Sequence, residues 1–364
     1  MKAEFTETET EGIIDFFGIK TDVRELDAKL PSDAKAYLTK EKRFREYILD
    51  SPEAREIACY PSIVGSSLEQ MTEKLAKSAY ALLSEEGEIG RNILFCHILR
   101  ASVGYNLHEI MKTECNISEA MIRTQYVLPS YRAHDSDEKE IRIIYEKMDG
   151  VKELSGKRAT LVIQDTVASG KTIDIALKKI LESADESHLK IDKLVLYGFI
   201  AKNGLLHIYD SLRGTGIRMT ALAIGNITPI STNGYDMPLY GPDEFEYRKS
   251  GIIRLMGGTC SRESLESYLP AFIPGADQPG DWSARLSKLY NGNSFEKSEI
   301  TSHLKNSEEY IIRLETLLKK EFPKLYEKFR GRISEELENL RNLKPMYIDA
   351  EAFKENHESP RKYI

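Results

Sequence analysis

The stretch LVIQDTVASGKTID, residues 161–174, decides the fold. It begins as a continuous apolar run, the pattern of a parallel strand covered on both faces. Gln164 and Asp165 follow, then Thr166, Val167 and the small residues Ala168, Ser169 and Gly170. After Lys171 and Thr172 the spacing changes: Ile173, Ala176, Leu177 and Ile180 fall on one helical face. A strand, a small-residue turn and a helix entry are therefore written in sequence.

The same alternation extends in both directions. NILFCHI (92–98), ATLVIQ (159–164), KLVLYGFIA (193–201) and RMTALAIG (218–225) read as short buried strands. Helical patterns separate them: VGYNLHEIMKTE (103–114), TIDIALKKILESA (172–184) and a short helix from about Gly204. Upstream, SLEQMTEKLAKSAYALLSEEG (67–87) places Leu68, Met71, Leu75, Ala79 and Leu82 at helical spacing, with Gly87 as a stop. EAMIRTQYVL (119–128) and IRIIYEKM (141–148) read as strands flanking the polar loop PSYRAHDSDEKE (129–140). The predicted class is α/β, a doubly wound parallel sheet with helical N- and C-terminal additions. Residues 1–64 are expected to form a mostly helical extension, 65–240 the α/β core, and 241–364 a loop-rich and then helical extension.

Within that last part, NITPISTNGYDMPLYGPDEF (226–245) and LPAFIPGADQPGDWSAR (269–285) are rich in Gly, Pro and Asp and read as loops. SEEYIIRLETLLKKEF (307–322) and ISEELENLRNL (333–343) are charged and leucine-spaced, with Pro323 starting or interrupting a helix. They read as a helical hairpin with solvated faces, or as a surface for a partner. The expected assembly is a homodimer.

Composition narrows the function. The chain has 364 residues, 41% apolar and 30% charged, as in a folded globular protein, and a net charge of −7. That charge argues against a general nucleic-acid binder while allowing a local basic pocket. Cys59, Cys96, Cys115 and Cys260 lie far apart and form neither a zinc pattern nor a disulfide framework. No apolar run approaches the ~18 residues of a membrane span, and MKAEFTETETEG lacks the apolar core of a signal peptide. A cytoplasmic protein is expected, with no membrane partner.

The GKT ending invites a nucleotide P-loop reading. That motif needs a glycine five residues before its Gly-Lys pair, and Asp165 stands there. A kinase or GTPase is thereby set aside. Phosphate chemistry survives, because small residues that open a helix leave backbone N–H groups accessible at its positive end. A monophosphate suits a turn of this size better than a triphosphate.

VIQDTVASGKT (162–172) resembles the signature with which type I phosphoribosyltransferases bind 5-phosphoribosyl pyrophosphate (PRPP). The resemblance implies that Gln164 and Asp165 meet the ribose hydroxyls and that Ala168, Ser169, Gly170, Lys171 and Thr172 hold the 5′-phosphate. ILRASVGYNLHEIM (98–111) is similar to the pyrophosphate loop of uracil phosphoribosyltransferases, which implies that Arg100, Ala101 and Ser102 bind pyrophosphate. The loop at 129–140 lies where the family closes a flexible loop over PRPP, with Tyr131, Arg132 and Lys139 as its candidates. Two segments resemble the family's base-contacting one. NGYDMPLYGPDE (233–244) is preferred, with Gly234, Tyr235 and Asp236, although Asp243, or Asp277 and Asp281 of FIPGADQPGDWSAR (272–285), are alternatives.

The implied activity transfers phosphoribose from PRPP to a nitrogenous base, a uracil-like pyrimidine by preference, releasing pyrophosphate in nucleotide salvage. Asp165 and Arg100 would be catalytic, and Mg²⁺ would arrive through PRPP without direct protein ligands. Gln164 breaks the pattern, since an amide brings no negative charge to an acidic position. A non-catalytic PRPP- or nucleotide-binding regulator is the alternative.

Overall fold

The computed structural model describes residues 4–126 and 141–357. In chain order its elements are α1 (Glu7–Phe17), β1 (Arg24–Glu25), β2 (Lys35–Leu38), β3 (Arg45–Asp50), α2 (Pro52–Cys59), α3 (Gly65–Glu85) and β4 (Ile93–Leu99). A 3₁₀ turn (Ser102–Tyr105) leads to α4 (Leu107–Glu114), β5 (Ile117–Tyr126), β6 (Ile141–Lys147), α5 (Asp149–Glu153), β7 (Arg158–Gln164) and α6 (Lys171–Glu186). Then come β8 (Lys190–Ala201), α7 (Lys202–Ser211), β9 (Arg218–Thr228), β10 (Tyr240–Pro242), α8 (Glu244–Ser250), β11 (Leu255–Gly257) and α9 (Arg262–Tyr268). The chain finishes with α10 (Trp282–Arg285), β12 (Lys288–Tyr290), β13 (Phe295–Lys297), α11 (Ile300–Glu321) and α12 (Pro323–His357).

β1 to β9 form one sheet in the order β1-β2-β3-β9-β8-β7-β4-β5-β6. From β3 to β5 neighbouring strands run parallel, while β1, β2 and β6 pair antiparallel at the margins. The α/β class is as the sequence reads, but the sheet is wider. Residues 1–64 are not mostly helical: they supply β1, β2 and β3, and β3 joins the parallel core with Tyr47 opposite Leu222. Lys35–Leu38 and Arg45–Asp50 are short and mix charge with apolar residues, so local periodicity is weak. Pairing with β9 decides the state of β3, and β2 follows by pairing with β3.

Side chains alternate across the sheet, as period two demands. On one face Ile93, Phe95, Val162, Val195, Tyr197 and Leu222 pack under α3, α4 and the C-terminal elements. On the other, Leu94, Cys96, Leu161, Ile163, Leu194 and Leu196 meet α5, α6 and α7. Each fully buried aliphatic side chain contributes about 1.5–3 kcal/mol, so burial on both faces holds the layers together.

Pro323 opens α12, and α11 with α12 forms the predicted hairpin, closed by Leu314 and Leu318 against Phe329, Ile333 and Leu340. The four cysteines carry no disulfide. Among the described residues no helix is long and apolar enough to cross a membrane.

Candidate functional site

The site grows from the carboxyl end of β7. Beyond the strand the chain stays tied to β8: Asp165 N–H donates to the Tyr197 carbonyl (2.9 Å) and Val167 N–H to that of Phe199 (2.8 Å). Residues 168–170 then turn into α6. Gly170 caps that helix at φ 79°, in the left-handed region, and a Cβ there would lie 2.7 Å from the Gly204 carbonyl oxygen. Only glycine suits both demands. No side chain caps α6, and among the described residues the N–H groups of Ala168, Ser169 and Gly170 have no hydrogen-bond partner. A row of free donors at the positive end of a four-turn helix is an anion cradle.

The cradle forms one end of a cavity of about 740 Å³. Gly234, Tyr235 and Asp236 lie on its wall, as do Asp277, Asp281 and Trp282. The two competing segments therefore converge on one site instead of excluding each other. Asp243 does not join them: it is fully buried, caps α8 through Glu246 N–H (3.1 Å) and accepts from Thr232 N–H and Arg254 (both 2.8 Å). Arg285, also fully buried, fixes the 278–285 segment by donating to the carbonyls of Ile57, Tyr60, Ile63, Gln278 and Pro279. Trp282 stacks on Tyr105 at 4.3 Å, joining this segment to the turn after β4.

The wall is acidic. Burial pushes the Asp165 carboxyl up to about 7, partly offset by the Thr166 N–H. Burial likewise raises Asp236 to about 6, and raises Asp277 well above its usual value with help from the Asp236 charge. Arg313 and Arg248 also reach the cavity, and both are tied to Glu244, at 3.1 and 3.3 Å. The cavity can thus pair anion donors at one end with acceptors and aromatic faces at the other.

Several expected site residues lie elsewhere. Gln164 is fully buried and turned away from the cavity, sharing with Val162 the face beneath α4. Its Oε1 accepts from the N–H groups of Leu107 (2.9 Å) and His108 (3.3 Å), and its Nε2 donates to His108 Nδ1 (2.8 Å). Asn106 provides no side-chain cap for α4, so Gln164 caps it instead of meeting ribose. Lys171 is exposed and off the wall. Of the pyrophosphate candidates only Ala101 reaches the cavity; Ser102 is fully buried and Arg100 binds Glu296. Tyr131, Arg132 and Lys139 lie outside the described residues.

Other wall residues were not foreseen. His303, Asn306, Ser307, Tyr310 and Arg313 come from one side of α11. Their spacing of three and four, flanking the leucine face, is a helical signal that reads equally well as a solvated stripe.

Among the described residues no three His, Cys, Asp or Glu side chains are placed to hold a metal. One carboxylate, Asp165, faces the cavity beside the cradle. That donor set fits a hydrated magnesium ion brought by substrate phosphates, and no protein-built metal site.

No family model matches the chain, and no curated protein matches it. Among solved structures it is similar to the AQ2163 protein from Aquifex aeolicus, at 22% identity over 52% of this chain and 91% of that one, TM-score 0.35. It is also similar to adenine phosphoribosyltransferase from Trypanosoma brucei, in complex with AMP, pyrophosphate and ribose-5-phosphate (12%, 51% and 85%, TM-score 0.32). For a hypoxanthine phosphoribosyltransferase from Staphylococcus aureus the match is 16% identical over 36% of this chain, TM-score 0.24, and spans 64% of that enzyme, under two thirds of its length.

Proposed function

We propose that the protein binds PRPP and transfers its phosphoribosyl group to a nitrogenous base, releasing pyrophosphate. The observation that carries this reading is the uncapped entry to α6, whose free N–H groups open into the same cavity as Asp165. The 5′-phosphate sits on residues 168–172, and Asp165 accepts from the ribose hydroxyls. The base lies toward Tyr235 and Asp236, with a uracil-like pyrimidine as the preferred acceptor. Bond breaking at C1 has oxocarbenium character, as in glycoside hydrolysis, so positioning and charge complementarity supply the acceleration. Arg100 balances the departing charge once it is free of Glu296. Magnesium, when carried by PRPP, neutralises part of that charge.

A second reading, a PRPP- or nucleotide-binding regulator without turnover, is favoured by one observation: the loop assigned to pyrophosphate is covered, with Ser102 buried and Arg100 paired. Pyrophosphate release from PRPP and Mg²⁺, followed with a panel of bases, separates the two. Transfer predicts release with at least one base and its loss in Asp165→Asn. Saturable PRPP binding without release for any base supports the regulator.

A further inference from the structure

The covered loop is held from above by a specific device. Arg100 Nη1 donates to Glu296 Oε2 at 2.7 Å, and Glu296 Oε1 accepts from Asn291 Nδ2 at 2.7 Å. Both bonds hold the Glu296 carboxyl below the usual range, so it is a carboxylate at neutral pH. The backbone is engaged too: Tyr290 N–H donates to the Arg100 carbonyl at 3.2 Å. Asn291 Oδ1 accepts from the N–H groups of Asn293 and Ser294, both at 2.9 Å, which sets the turn of the β12–β13 hairpin. Beneath the hairpin, a Cβ on Gly104 would lie 2.4 Å from Leu286 Cδ2, and the Leu286 carbonyl is gripped by Ser298. Ser102 Oγ is left buried with no partner among the described residues.

A carboxylate and a phosphate compete for the same guanidinium donors, and here Glu296 takes Nη1 of Arg100. Glu296 therefore stands on the arginine to which the resemblance assigns pyrophosphate, whereas among the described residues nothing bonds the N–H groups of 168–170. The two halves of the site differ in what they admit.

We propose that Glu296 is a specificity-determining residue, a built-in competitor of pyrophosphate. With the β12–β13 hairpin seated on Arg100, the site takes phosphomonoesters of ribose, such as a nucleoside 5′-monophosphate. It takes PRPP only when the hairpin yields. The pair is more than one-third exposed on both sides, at 38% and 37%. Such pairs are individually weak, so a doubly charged pyrophosphoryl group can displace the carboxylate, and the device is reversible. The proposal rests on the reading of residues 168–172 as the 5′-phosphate cradle, and its test separates the two.

The full chain, with Mg²⁺ present, is titrated calorimetrically with PRPP and with ribose 5-phosphate. Wild type, Glu296→Gln and Glu296→Ala are compared, with Asn291→Ala as a variant that loosens the hairpin turn but keeps the Glu296 charge. PRPP binding should tighten about three- to fivefold in Glu296→Ala, less in Glu296→Gln and least in Asn291→Ala. Ribose 5-phosphate should stay within about twofold in all of them. Unchanged PRPP affinity alongside normal ribose 5-phosphate binding overturns the role of Glu296 and leaves the cradle standing. Equal tightening of both ligands overturns it as well, since that marks general loosening. Failure of every protein to bind ribose 5-phosphate removes the cradle, and this proposal with it.

Discussion

Two loops at the carboxyl ends of neighbouring strands, 98–104 after β4 and 165–172 after β7, meet opposite fates. Both are small-residue turns that lead into a helix. The loop after β7 opens into the cavity with unpartnered N–H groups. Its neighbour lies under Leu286 and the β12–β13 hairpin, with its arginine engaged. Yet they are joined, for the Tyr105 hydroxyl bonds Thr166 Oγ1 at 2.5 Å. The difference teaches that a helix-entry loop is opened, or covered, by distant chain, here a segment nearly two hundred residues downstream.

The contrast breaks most completely if the open loop is closed. Gly170→Val places a branched side chain at positive φ against the Gly204 backbone. Ribose 5-phosphate affinity should fall by at least about 100-fold, with circular dichroism confirming that the sheet remains. Retained affinity would show that the cradle lies elsewhere.

Asp165→Asn comes next. With its carboxyl raised to about 7, wild type should bind ribose 5-phosphate more tightly as pH rises from 6 to 8. The variant should bind about tenfold more weakly at pH 8, with only the shallow pH dependence of the ligand's own phosphate, whose second ionisation lies near pH 6. Stability moves the other way. A folded value above the ordinary 3.8 means the native state holds the proton more firmly. That contribution is complete below pH 4 and lost as pH rises through about 7. Thermal melts of Asp165→Asn should therefore overtake wild type between pH 5 and 8, and a constant difference between the two would contradict the buried carboxyl.

Gln164 sharpens the boundary between site and scaffold. Gln164→Ala strips two N–H groups of α4 of their acceptor and should cost about 2–3 kcal/mol in urea unfolding. Ribose 5-phosphate affinity should be unchanged. Gln164→Glu should leave magnesium dependence unaltered and also destabilise, because its carboxylate meets the unprotonated His108 Nδ1, a ring that burial holds down to about 3. A gain in magnesium-dependent binding would return Gln164 to the site.

These residues also show what sequence alone exposes. β4, β7, β8 and β9 are legible because continuous apolar runs and small-residue turns are local signals. Which way Gln164 points is not, because it depends on whether α4 covers that face. β3 is hidden for a similar reason, being paired with β9 far along the chain, and β2 rests on β3. The α11 wall reads as a solvated stripe until the cavity beside it is seen. Arg100 reads as a phosphate ligand in the sequence, but its pairing with Glu296 is hidden there, since nothing local marks a contact across such a span.

The smallest effect belongs to the link between the loops. Tyr105→Phe removes the bond to Thr166 and should cost about 1 kcal/mol of stability. It should weaken PRPP more than ribose 5-phosphate. Equal losses for both ligands would mean the loops are not distinguished through Tyr105.

The most direct measurement is hydrogen–deuterium exchange of the intact protein, free and saturated with ribose 5-phosphate, read on peptides spanning 165–175 and 98–106. Strong new protection over 165–175 with no change over 98–106 is the predicted result. Protection confined to 98–106, or absent from both, would contradict an open cradle beside a covered one.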